Sequence, residues 1–143
     1  MDDCLVCRQV ADPDALPGGH VWADEHAVAF HLPPSERNPQ PYRGHCLVVV
    51  RRHVDHLADL TDEEAASVAR GSRALATRLR EAGAERAHVA VVGLGVPHFH
   101  QHVFPRYPGV PAGTPWHAVD DLPDAPHLDA VGIAELAELL RAG

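Results

Sequence analysis

A chain of 143 residues with 45% hydrophobic and 22% charged residues has the size and balance of one globular domain, with room for a sheet, a few helices and a shared core. Its formal net charge of −8 argues against a nucleic-acid or anionic-membrane partner, so any phosphate-bearing ligand has to be met locally. The apolar run Cys46 to Val50 is far too short to span a bilayer. The start Met1-Asp2-Asp3-Cys4 lacks the basic and apolar regions of a signal peptide, so a cytoplasmic address is expected.

Cys4-x-x-Cys7 opens the chain; in an intracellular setting that spacing points to half of a zinc site or to a redox pair rather than to a disulfide framework. Asp12 to Gly19 reads as a loop. Val21–Trp22 and Ala27–Leu32 read as a hairpin closed at Asp24-Glu25-His26. Four prolines between Pro33 and Pro41 make that stretch an exposed loop. Leu47–Val50 is a buried strand by its β-branched run, in which Cys46 reads as a core residue. Thr61-Asp62-Glu63-Glu64 is a capping-box start, and Ala65, Val68, Leu75 and Leu79 carry helical spacing to a stop at Gly83. Ala87–Val92 and His98–Phe104 follow as strands about the turn Gly93-Leu94-Gly95. Tyr107 to His127 is proline-rich and irregular, and Ile133–Leu140 belongs to a C-terminal helix. The order of elements gives an α+β fold around a mainly antiparallel sheet, one domain over 1–143.

Histidine is the unusual residue, with twelve copies against three phenylalanines and two tyrosines. His20, His26, His88, His117 and His127 lie in polar or irregular contexts and read as solvated. His98, His100 and His102 alternate along the expected strand. A period of two places all three on one face, about 7 Å apart, either as a reactive polar wall or as exposed surface histidines.

The run His98-Phe99-His100-Gln101-His102-Val103-Phe104 with Pro105-Arg106 resembles the signature of the histidine-triad (HIT) family. The likeness extends upstream through Val28-Ala29-Phe30-His31, through Gly44-His45-Cys46-Leu47-Val48-Val49 with Arg51-Arg52-His53, and through Leu57 to Glu63. It covers roughly residues 4 to 107 and leaves a tail and helix over 108–143. The resemblance implies a five-stranded, mainly antiparallel sheet with a long helix on it, commonly in a two-fold homodimer. It also implies a hydrolase of nucleoside 5′-phosphoryl compounds, either phosphoramidates or dinucleoside polyphosphates. His100 would attack phosphorus to form a nucleotidyl-histidine, flanked by His102 and His45. A transferase acting through the same intermediate and a non-catalytic nucleotide-binding or zinc-stabilised module are the alternatives.

In the zinc-containing bacterial-type branch that the chain resembles, the two remaining ligands come from the positions filled here by His53 and His98. Those residues would complete a closed structural zinc site with Cys4 and Cys7. Substrate contacts implied by the resemblance are Phe30, His31, Leu32, Gly95 and Arg106. The chain departs from the family at Leu32, where many members carry an acid for the ribose hydroxyls. It departs again at Gly93-Leu94-Gly95-Val96-Pro97, where many carry an Asn and a Gly-Gln-Ser segment; the glycine turn would either supply an anion nest or only close the chain. Arg106 and Arg51 stand as phosphate partners or as ordinary surface arginines. Gln101 points away from the histidines as a packing or interface residue. Trp116 is either a base-stacking aromatic or simple packing.

Overall fold

The computed structural model describes residues 3–142; Met1 and Asp2, part of the start read above as lacking a signal sequence, and Gly143 lie outside them. In chain order the elements are α1 (Leu5–Ala11), β1 (Trp22–Ala23), β2 (Ala27–His31), β3 (Cys46–Val50), α2 (Asp62–Glu81), β4 (Arg86–Ala90), β5 (His100–Arg106) and α3 (Ala130–Ala142). Short 3-10 turns occur at Pro13–Ala15, Leu57–Asp59 and Trp116–Asp121. The five strands form one antiparallel sheet in the order β1-β2-β3-β5-β4, which is the α+β arrangement expected. Among the described residues no helix is long and apolar enough to cross a membrane.

The pleat of β2, β3 and β5 sorts side chains onto two faces. Ala27, Ala29, Cys46, Val48, Val50 and Val103 meet Val68, Leu75 and Leu79 of α2 and Leu136 and Leu140 of α3 in the main core. Val28, Phe30, Leu47 and Val49 turn to the opposite face, where Val6 and Leu16 cover them. Each fully buried aliphatic or aromatic side chain here contributes about 1.5–3 kcal/mol.

Helix α2 begins as expected. Thr61 Oγ1 accepts from the Glu64 amide and Glu64 returns a bond to the Thr61 amide, which satisfies two donors of the first turn. Glu64 is buried and is also clamped by Arg52 at 2.8 and 3.0 Å, so its carboxyl is held down to about 2, chiefly by the Arg52 hydrogen bond. Helix and sheet approach closely at Gly71, where an added Cβ would lie 2.8 Å from the Trp22 ring. On the same side, Gln101 Nε2 donates to Ser72 Oγ at 2.6 Å, so Gln101 does point away from its histidine neighbours and packs the sheet against α2.

Several boundaries differ from expectation. The seven-residue α1 carries no periodicity that a sequence window detects; its N-cap is Cys4, whose Sγ accepts from the Cys7 amide. The hairpin strands sit at Trp22–Ala23 and Ala27–His31 because Asp24 Oδ1 accepts from both the His26 and Ala27 amides and closes the turn there. The last strand begins at His100, not His98. The Phe99 amide donates to Val54 O at 2.6 Å and the His98 amide to Val96 O, which takes both residues out of the ladder. The stretch 107–127 is ordered around a small cluster of Tyr42, Phe104 and Val119, and Tyr42 bridges His127.

Candidate active site

Strand β5 aligns His100 with Val49 and His102 with Leu47, so both imidazoles stand on the face opposite α2. His45, two residues before Leu47, joins them from β3's entrance: its Nε2 lies 2.9 Å from His102 Nδ1. The His100 and His102 rings meet edge to face at 5.3 Å, and those of His45 and His102 at 5.1 Å. Burial, ahead of the charge on His102, pushes His45 down to about 3, and burial ahead of His100 lowers His102; these two imidazoles are neutral near pH 7.

The orientation of His100 is set by the main chain. Its Nδ1 lies 2.8 Å from the His98 carbonyl oxygen, which only accepts, so the proton sits on Nδ1 and the Nε2 lone pair is left free. Sequence alone offers no signal for that carbonyl, since every residue carries one.

His98 is fully buried and faces elsewhere. Its Nε2–H donates to Val50 O at 2.7 Å, leaving the Nδ1 lone pair directed at Cys4 Sγ (3.5 Å) and Cys7 Sγ (3.4 Å). His53 Nδ1 lies 3.3 Å from Cys7 Sγ. The four donor atoms fall within 4.8 Å of one another. A tetrahedral ion with metal–sulfur bonds near 2.3 Å and metal–nitrogen bonds near 2.0 Å has sulfur–nitrogen edges of about 3.5 Å, so these spacings fit a closed metal site. The carbonyl behind His98 supplies the outer hydrogen bond that such ligands use to fix their tautomer.

A support layer underlies His45. His31 is 2% exposed; its Nδ1 donates to Leu32 O and its Nε2 accepts from the Gly44 amide, both at 2.9 Å, so no polar atom of the ring remains for a ligand. Burial holds it down to about 4. Gly44 has φ +89°, and a Cβ there would lie 2.7 Å from Pro105, so the turn into His45 needs glycine.

Other predicted contacts are placed differently from expectation. Phe30 is wholly buried in the second core cluster and offers no surface to a substrate. Arg106 donates to Thr114 O and Pro111 O and ties down the tail. Arg51 donates to Asp24 O, at the hairpin turn. Leu32 is partly buried against the second cluster, and Gly95 lies in the exposed turn before His98. Two histidines read as solvated are not: His20 stacks on Phe30 and bonds Gln9 O, and His88 Nε2 is buried without a hydrogen-bond partner. Sequence reading missed the contribution of Tyr42 and Asp120, which with Trp116, His45 and His102 line a cavity of about 230 Å³ beside the histidine pair.

The HIT domain model matches residues 16–109. Protein hit of Bacillus subtilis is 31% identical over 132 residues, 86% of each chain. An uncharacterised HIT-like protein of Methanocaldococcus jannaschii is 30% identical over 111 residues, covering 74% of this chain and 81% of its own. A crystal structure described as a zinc-bound histidine triad family protein from Mycobacterium smegmatis superimposes with a TM-score of 0.71 at 26% identity, over 98% of this chain and 91% of that one.

Proposed function

The chain belongs to the HIT family, whose members are generally nucleotide hydrolases or transferases, and from that premise we propose that it hydrolyses nucleoside 5′-phosphoryl compounds through a nucleotidyl-histidine on His100. The observation that carries this reading is the His98 carbonyl bond, which leaves His100 Nε2 unprotonated on the face it shares with His102 and His45. The Nε2 lone pair attacks phosphorus and the bond to the leaving group breaks. The leaving atom takes that electron pair and a proton relayed through His102, and His45 holds His102 in register. Water then attacks the same phosphorus, the nitrogen–phosphorus bond breaks, and the nucleoside monophosphate departs.

The substrate's sugar and base are assigned to the side of Leu32 and Val96, where partly buried apolar groups edge the second cluster. The Gly95 turn remains the candidate for backbone contact with phosphate oxygens. Zinc at Cys4, Cys7, His53 and His98 belongs to the same proposal, as in the zinc-containing bacterial-type branch, and its role there is structural because all four positions come from protein. A cytoplasmic single-domain homodimer is the accompanying assembly, with exposed Val89 and Val92 near the outer strand β4 as the apolar edge it would cover.

The decisive experiment is acid-free rapid quenching with adenosine 5′-phosphoramidate followed by peptide mass analysis. A nucleotidyl adduct on the His100 peptide is expected, and none in His100→Ala. Undiminished turnover by His100→Ala overturns the proposal. Inorganic phosphate in the same reaction separates hydrolysis from transfer, since transfer yields a nucleoside diphosphate.

A further inference from the structure

We infer that Glu64, at the start of α2, is a positioning residue for the proposed metal ligand His53, acting through the fork it makes with Arg52. The inference rests on the metal reading above and deepens it, because it names what holds the nitrogen ligand whose ring has no hydrogen bond behind it.

The two nitrogen ligands are held in unlike ways. His98 is fixed through its ring, since Nε2–H donates to Val50 O and leaves Nδ1 toward the thiols. His53 presents Nδ1 to Cys7 Sγ at 3.3 Å, but among the described residues its Nε2 makes no hydrogen bond. A ligating imidazole ordinarily gives its second nitrogen to a carbonyl or carboxylate that sets the direction of the ring. For His53 that direction has to come from the main chain.

His53 lies between β3 and the 3-10 turn at Leu57–Asp59, in a stretch where no ladder or helix fixes the backbone. Its two neighbours do so instead. On one side Val54 is buried and its carbonyl accepts from the Phe99 amide at 2.6 Å, which sets the residue after one nitrogen ligand against the residue after the other. The rings of His53 and His98 meet edge to face at 5.2 Å. On the other side Arg52 Nε donates to Glu64 Oε2 at 3.0 Å and Nη2 to Glu64 Oε1 at 2.8 Å, a two-point grip that fixes direction as well as distance. Nη2 also donates to Asp59 O at 3.0 Å.

The helix cap alone does not call for this arrangement. The box needs one side-chain oxygen to accept from the Thr61 amide, and a glutamine supplies that equally well. The fork needs the carboxylate. Glu64 is buried while the Arg52 side chain is half exposed, so the grip joins a fixed point in the helix to a strand end that would otherwise move freely. By linkage, an ion held at His53 steadies the first turn of α2, and a broken fork loosens the hold on the ion.

The test loads reduced, metal-free full-length protein with cobalt(II) in place of zinc, follows its visible absorption, and obtains affinity by chelator competition. Glu64→Gln keeps the box and loses the fork; it should weaken cobalt binding about tenfold, and Arg52→Lys, whose ammonium cannot make the fork, should do the same. Thr61→Ala breaks the box and leaves the fork, so it should lower the melting temperature of the metal-free protein and leave affinity unchanged. Wild-type affinity in Glu64→Gln overturns the inference, as does a loss in Thr61→Ala as large as in Glu64→Gln, which would mark a purely structural role. Should Glu64→Gln not fold, Arg52→Lys carries the comparison. A reading independent of metal comes from proton NMR of the metal-free protein, in which the His53 and His98 rings should show a cross-ring Overhauser contact that Arg52→Lys and Glu64→Gln weaken. An undiminished contact in both variants counts against the inference. Wild-type protein that takes up no cobalt defeats the metal reading, and the cross-ring contact then decides by itself whether the fork places His53.

Discussion

Two histidines separated by one residue behave as opposites. At one end of the segment 98–100, His98 gives its Nε2 proton to Val50 O and turns Nδ1 toward two thiols; at the other, His100 gives its Nδ1 proton to His98 O and keeps Nε2 free. The side chains are chemically identical. A main-chain carbonyl behind each ring selects the tautomer, and the tautomer decides which nitrogen keeps its lone pair, Nδ1 in His98 and Nε2 in His100. Burial follows the same division: His98 is closed off completely, whereas His100 and His102 stay partly open, His102 in the wall of a cavity.

Four substitutions break or sharpen that division. The largest effect is expected from His100→Ala, which should lower turnover by about 10⁴-fold, equivalent to ~5.5 kcal/mol of barrier, with metal content and melting temperature unchanged. Loss of metal in that variant would merge the two ends into one site. Cys4→Ser should act in the reverse sense, losing metal and on the order of 4 kcal/mol of stability in urea unfolding while turnover per folded molecule stays within a few-fold. Unchanged metal content would remove Cys4 from the ligand set.

His31 probes the support beneath the reacting end. Its folded pKa of about 4 lies below the ordinary value of 6.5, mainly through burial, so the unfolded chain binds the proton first. Its contribution is therefore complete above pH 6.5 and is lost as pH falls through the window down to about 4, a change on the order of 3 kcal/mol. Urea titrations across that range should show a shallower pH slope for His31→Gln than for wild type, and equal slopes would reject the assignment. The smallest effect belongs to Gln101→Ala, which removes the bond to Ser72 on the far face and should cost about 1 kcal/mol with kcat/KM unaltered. A change in kcat/KM would mean that the two sheet faces are coupled.

The long helix was legible because Thr61 and Glu64 form a local signal, and the α2-facing core because Val48 and Val50 alternate with the other face. His100, His102 and His45 are placed together by their resemblance to a known pattern, and the fold brings them into contact. Period-two reasoning did not survive at His98. The strand starts later because Phe99 bonds Val54, a partner 45 residues away that no local window contains. The tail contacts of Arg106 were illegible for a related reason: the carbonyls of Pro111 and Thr114 come within its reach only once the tail folds back. The tail itself gave no periodicity. Its order comes from burial of Val119 against Tyr42 and Phe104, a tertiary effect.

The donor set at Cys4, Cys7, His53 and His98 also bears on the chain before it is finished. Cys4 and His98 are separated by 94 positions, so the last ligand leaves the ribosome only after β1 to β4 have been made. If this set takes up the ion proposed for it, capture comes late in biosynthesis. Once made, it links the ends of a loop of roughly 90 residues, and by analogy with a covalent cross-link over that length it removes unfolded-chain entropy worth about 4–5 kcal/mol. On the proposed zinc reading, a nascent protein released into metal-poor surroundings would lack that clasp between its first residues and the catalytic segment.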